Sequence, residues 1–223
     1  MDSLDEPVGA IRFGLEFGLA HGWAAARELA TLYKLPVFFD TKLKDVPKTL
    51  EVGTKSLMSH SPDLFTAMVD NSAAALKGIV RGRDEGVLQY QLERKPLAVG
   101  VTVLTSITET ESMSIYGSSP HVRVPQFARA AVENGFDAIV CSPGEVGLLR
   151  ADSFFAETLL ITPGIRPGWA DANDQVRLSS PGDALRAGAD LLVIGTPIIK
   201  PPSSIGEPRH ALRAIAEEIG NIL

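Results

Sequence analysis

Short apolar runs rich in β-branched and aromatic residues return along this chain at intervals too long for hairpins, and helix-patterned stretches fill the gaps. The runs are AIRF (10–13), LPVFF (35–39), LFTAMV (64–69), LAVGVTVL (97–104), FDAIVC (136–141), TLLIT (158–162) and DLLVIG (190–195). Between them stand WAAARELATLYK, FARAAVENG, GDALRAGAD and EPRHALRAIAEEIGNIL, whose spacing and composition suit helices. A strand that reaches the next strand only through a helix makes a crossover, so the pairing is parallel and the class is α/β. A repeat of about 20–35 residues fits a TIM-type (β/α) barrel or a doubly wound sheet. No G-x-G-x-x-G or P-loop follows an early strand, which favours the barrel. At 223 residues, a single (β/α) barrel domain over residues 1–223 is the expectation.

Three stretches read as long loops: residues 81–95, 108–121 and 166–177. Two of them directly follow predicted strands, where barrels build their active sites. A net charge of −6 and a pI near 5.3 exclude a broad nucleic-acid surface, although a local basic pocket for a small anion stays open. No apolar run approaches the eighteen or so residues of a membrane span, and the start, MDSLDEPVGA, lacks the pattern of a signal peptide. A cytoplasmic protein without a membrane partner is therefore expected. Cys141 is the one cysteine, so no internal disulfide forms, and its apolar run makes it a core residue. His21, His60, His121 and His210 occur singly, without metal-ligand spacing, and no metal site is expected.

One apolar run ends abruptly in charge: FFDTKLKDVPKT, residues 38–49. Residues two apart on a strand share a face, which predicts Asp40 and Lys42 side by side at the carboxyl end. Asp45 follows in the loop before Val46-Pro47 turns the chain. Ions at a barrel mouth lose several kcal/mol of hydration each, by order of magnitude, unless they are paired. A cluster at that place marks a candidate catalytic site.

This segment resembles the signature of the orotidine 5'-phosphate decarboxylase family, D-x-K-x-x-D-I-P-N-T at the end of the third barrel strand. The likeness extends in order and spacing through VTVLTS (101–106), GFDAIVCSPGEVGLLR (135–150), ITPGIRPGWADANDQVR (161–177) and VIGTPI (193–198). It implies decarboxylation of orotidine 5'-monophosphate to UMP, in de novo pyrimidine biosynthesis, without metal or cofactor. Lys42 would deliver the proton to C6, and Asp40 would lie against the substrate carboxylate. Asp45 and Thr49 would reach across a homodimer interface. Thr105 and Ser106 would lie near the base or ribose, and Arg166, Gln175 and the backbone of Gly195 would meet the phosphate. The flanking carboxylates favour the lysine's ammonium form.

Several positions differ from the family pattern. Arg12 stands where the family has a lysine of its charged network, Lys48 replaces its asparagine, and Thr196 occupies the place of the phosphate-gripping arginine. Only eleven residues precede Arg12, so the barrel is expected to lack the family's first strand and helix at its N-terminus. These departures keep two other readings open: a catalytically impaired paralogue that binds a nucleotide or a protein partner, and another sugar-phosphate decarboxylase of the same superfamily.

Overall fold

A computed structural model describes residues 8–170 and 178–220. Gln175 therefore lies outside the described residues. Each of the seven predicted runs carries a strand: β1 Ile11–Phe13, β2 Val37–Leu43, β3 Leu64–Met68, β4 Leu97–Val101, β5 Ala138–Val140, β6 Leu159–Thr162 and β7 Leu191–Leu192. Helices α1 Leu15–Leu32, α2 Pro47–Leu57, α3 Ala73–Tyr90, α4 Glu109–Tyr116, α5 Pro120–Glu133, α6 Pro143–Arg150, α7 Pro181–Arg186, α8 Thr196–Ile199 and α9 Pro208–Gly220 alternate with them. The α/β class read from the sequence is thus present. Among the described residues the first strand is β1, in the run that was expected to lead the chain.

The described residues form two compact units, residues 8–102 with 127–138, and residues 103–126 with 139–170 and 178–220. In the first, β1 to β4 lie in chain order and pair in parallel, with Ile11 opposite Val37, Phe38 opposite Leu64 and Leu64 opposite Leu97. Val37, Phe38, Phe39, Asp40 and Thr41 are all buried, because a parallel strand between helices has no solvent face. Phe39, Phe65, Met58, Leu76 and Ile79 fill the core of this unit. In the second unit β6 pairs with β7, Cys141 N–H donates to Ile161 O at 3.2 Å, and Ile139, Leu149, Phe155, Leu160 and Ile161 are enclosed.

Two expected loops are largely helix. Residues 81–90 continue α3, which ends where Gln91 takes a left-handed cap with φ 51°. The misleading signal was glycine, which is disfavoured inside helices. Gly78, Gly82 and Gly86 lie at spacing four and let α2 approach: a Cβ would fall 2.7 Å from Pro47 O, 2.2 Å from Glu51 O and 2.5 Å from Met58 Cγ respectively. Arg83 on the same helix is buried and pairs with Asp84 and Asp137, while the Asp137 carboxylate also accepts from Ala98 N–H at 2.8 Å, tying α3 to β4.

Residues 109–116 form α4, and α5 begins at Pro120. The start of α4 is a capping box: Thr108 N–H donates to Glu111 Oε2 at 2.8 Å and Glu111 N–H to Thr108 Oγ1 at 3.3 Å. In sequence this stretch reads as a long loop. In the same unit Arg150 donates to Gly188 O, Phe155 O and Thr158 O at 2.8, 2.8 and 3.0 Å and pairs with Asp190, anchoring α6 to the segments entering β6 and β7.

Candidate functional site

The charged end of β2 is not a plain strand end. Phe39 opposes Phe65 and Leu43 opposes Ala67, so four steps along β2 match two along β3 and the chain bulges between them. Inside that bulge Lys42 has φ +46°, a left-handed conformation that costs a non-glycine residue on the order of 1 kcal/mol or more. Backbone strain of this sort gathers where a side chain has to be aimed.

It is aimed at Asp40. Lys42 Nζ lies 2.6 Å from Asp40 Oδ2, and Arg12 on β1 reaches the same oxygen with Nη2 at 2.7 Å and Nε at 3.0 Å. The Asp40 side chain is 7% exposed, those of Lys42 and Arg12 30% and 41%. A buried anion thus sits beneath two cations that open towards solvent. Burial pushes the Asp40 carboxyl up, but the Lys42 hydrogen bond and the Arg12 and Lys42 charges outweigh it and hold the group below the usual carboxylate range. The sequence alternation anticipated Asp40 beside Lys42; the bulge, rather than a regular pleat, is what brings them together.

A further residue belongs to this cluster. Thr66, fully enclosed on β3, donates from Oγ1 to Asp40 Oδ1 at 2.8 Å and accepts Lys42 N–H at 2.8 Å, while its carbonyl accepts Thr41 Oγ1 at 2.6 Å. Sequence reasoning passed over it because one threonine in LFTAMV reads as a β-former. The available signal was a hydroxyl in an otherwise apolar buried strand, which needs a partner.

Asp45 and Thr49 are not part of this hydrogen-bonded cluster. Both are exposed, Asp45 in the loop after β2 and Thr49 on the first turn of α2. Asp45 Oδ1 accepts the neighbouring Val46 N–H at 2.7 Å, its carbonyl accepts Asn71 Nδ2 at 2.9 Å, and Lys44 pairs with Asp70 at 2.6 Å, so the loop is pinned on both sides.

In the second unit Thr105 and Ser106 line a cavity of about 360 Å³ together with Ile107, Thr108, His121, Ser142 and Glu145. Ser142 N–H donates to Glu145 Oε2 at 2.7 Å, which opens α6; this pair shapes the loop after β5. Cys141 beside it is buried, and burial followed by the Glu145 charge pushes its thiol up to about 12, the behaviour of an inert core residue.

The turn at residues 163–166 has Gly164 at φ +79° and is clipped to Ser179: Arg166 N–H donates to Ser179 O at 2.9 Å and Ser179 N–H to Gly164 O at 3.2 Å. Arg166 Nη1 donates to Ile165 O at 3.0 Å, but its buried Nε meets no acceptor among the described residues. Gly195 stands at the start of α8, and Thr196, the first residue of that helix, is exposed. Among the described residues no three His, Cys, Asp or Glu side chains group as a metal site, and no helix is long and apolar enough to cross a membrane.

Comparison with known proteins bears on this arrangement. The family model described as "Orotidine 5'-phosphate decarboxylase / HUMPS family" matches residues 1–215. The chain is 39% identical over 211 residues to an orotidine 5'-phosphate decarboxylase of Anaeromyxobacter sp., covering 94% of this chain and 86% of that one. To the enzyme of the same name from Gluconobacter oxydans it is 36% identical over 222 residues, covering 99% and 90%. The crystal structure of orotidine 5'-phosphate decarboxylase from Lactobacillus acidophilus superposes with a TM-score of 0.75 at 26% identity, covering 93% of this chain and 85% of that chain. The fold is that of a (β/α) barrel family, as the alternation of strand and helix implied.

Proposed function

Since the chain belongs to the orotidine 5'-phosphate decarboxylase / HUMPS family, we propose that it converts orotidine 5'-monophosphate to UMP and carbon dioxide, a step of de novo pyrimidine biosynthesis. The observation that carries this reading is the Asp40 carboxylate, enclosed and shared at one oxygen by Lys42 and Arg12.

The chemistry follows from charge. The substrate carboxylate lies against Asp40, where two anions repel; losing carbon dioxide removes one of them, and the electron pair left at C6 moves towards the Lys42 ammonium. Lys42 donates its proton to C6 and completes UMP. The Arg12 guanidinium on the same oxygen leaves Asp40 a cationic partner after Lys42 has given up its proton. Arg12 thereby fills the place of the family lysine with a larger, planar group.

At the other end of the ligand, the Arg166 guanidinium and backbone N–H groups at the 163–166 turn and at Gly195 suit a phosphate dianion. Thr196 offers a hydroxyl where the family has an arginine, and Gln175 is assigned to the same phosphate. The family likeness assigns Thr105 and Ser106 to the base or ribose. The protein works as a homodimer in the cytoplasm, with Asp45 and Thr49 reaching the partner's site; their exposure on a pinned loop and helix start supports that arrangement.

The test is direct. Purified protein is mixed with orotidine 5'-monophosphate and the absorbance change followed, and Lys42→Ala is expected to abolish it. No turnover at millimolar substrate and high enzyme concentration overturns the reading.

A further inference from the structure

We infer that Thr66 is a positioning residue for the proton donor: its single hydroxyl holds both the left-handed backbone of Lys42 and the rotamer of Asp40. The inference deepens the decarboxylase reading and rests on it for the word "donor"; the geometry itself is independent of it.

A threonine hydroxyl has one proton to give and lone pairs to receive. Here the proton goes to Asp40 Oδ1 at 2.8 Å, and a lone pair takes Lys42 N–H at 2.8 Å. Both partners lie in the bulge, where the regular ladder between β2 and β3 is interrupted. Thr66 Oγ1 therefore takes the Lys42 N–H at the point where φ turns to +46°. Its bond to Oδ1 also fixes the carboxylate plane, leaving Oδ2 for Lys42 and Arg12. The Asp40–Lys42 pair on β2 is thus braced from β3 by one enclosed hydroxyl. Serine, with the same hydroxyl and no methyl, keeps the function; valine, with the same shape and no hydroxyl, loses it.

Three variants of the full-length chain decide the matter. Thr66→Val is expected to lower kcat by about tenfold or more while KM stays within about twofold, since a looser donor affects the step that needs the proton rather than ground-state binding. Thr66→Ser should recover kcat to within about threefold. Thr41→Val removes the other hydroxyl bond between the same strands, Thr41 Oγ1 to Thr66 O, and should leave kcat close to wild type. If Thr66→Val fails to fold, Thr66→Cys, similar in size with a weaker donor, takes its place. The idea is overturned if Thr66→Ser is as impaired as Thr66→Val, if Thr41→Val loses as much, or if the loss falls on KM alone.

Amide hydrogen exchange at Lys42 supplies a readout that needs no substrate. It should quicken about tenfold or more in Thr66→Val and remain near wild type in Thr66→Ser. Should the wild-type protein fail to turn over orotidine 5'-monophosphate, the decarboxylase reading fails on its own, and unchanged exchange in Thr66→Val still refutes the brace.

Discussion

The charged cluster on β2 and the turn at residues 163–166 treat charge in opposite ways. At β2 every strong group is already answered: Asp40 by Lys42, Arg12 and Thr66, the Lys42 backbone by Thr66. At the turn the buried Arg166 Nε has no acceptor among the described residues, and Thr196 at the start of α8 is exposed. The first region is preorganised, with its electrostatics assembled before any ligand arrives. The second is a set of donors whose complement is an anion. On the proposed reading catalysis and binding divide between them, so changes at β2 should appear in kcat and changes at the turn in KM.

The sharpest way to break this division is Asp40→Asn. It keeps the shape but removes the anion that two cations share, and leaves no charge to set against the substrate carboxylate. A fall in kcat on the order of 10²- to 10⁴-fold is expected, with KM changed far less. Steady-state kinetics checks it; a loss confined to KM would mean that the cluster binds rather than reacts.

Arg166→Ala comes next. Loss of a charge-assisted contact to a dianion is expected to raise KM by about 10- to 100-fold with kcat within a few-fold. If kcat collapses instead, the turn takes part in assembling the site and the two regions are not separable. Thr196→Arg restores the family's charged donor and should lower KM by up to about tenfold. An unchanged KM would place the phosphate elsewhere.

The physical reason for the uneven legibility of this chain is range. The seven strands could be read because buried parallel strands are continuous apolar runs, a signal held within five or so residues. Asp40 and Lys42 could be read because they are two apart. What decides their geometry is not local: Thr66 lies on another strand, and neither the bulge nor the left-handed Lys42 leaves a mark in D-T-K-L. Residues 81–90 were misread for a related reason, since Gly78, Gly82 and Gly86 weaken a helix in isolation and strengthen it only against the backbone of α2. The α4 helix was legible in Thr108 and Glu111, which stand at capping-box spacing. The bend at residues 163–166 is legible in Pro-Gly-Ile-Arg-Pro, because Gly164 at φ +79° is a local requirement.

The smallest expected effect concerns stability, and it tests whether Asp40 is ionised and paired without any substrate. Its carboxyl is held below the usual range: burial opposes ionisation, but the Lys42 hydrogen bond and the Arg12 and Lys42 charges outweigh burial. A depressed folded value means that the group stabilises the fold above its unfolded value of about 3.9, and that this contribution is lost as pH falls through the folded value. Asp84, Glu51, Glu111 and Asp183 are lowered as well, so acid unfolding of the wild type alone would mix five groups. The difference between wild type and Asp40→Asn isolates one. In urea unfolding, Asp40→Asn should be less stable at neutral pH, and the gap should narrow as pH drops below about 4, where the unfolded chain takes up the proton, and close as pH falls through the lower folded value. Arg166→Ala should show a gap that does not close over the same range, its guanidinium having no carboxylate partner to titrate among the described residues. A constant gap for Asp40→Asn would mean that β2 holds Asp40 by shape rather than charge, and that its two cations do not stabilise the fold before substrate arrives.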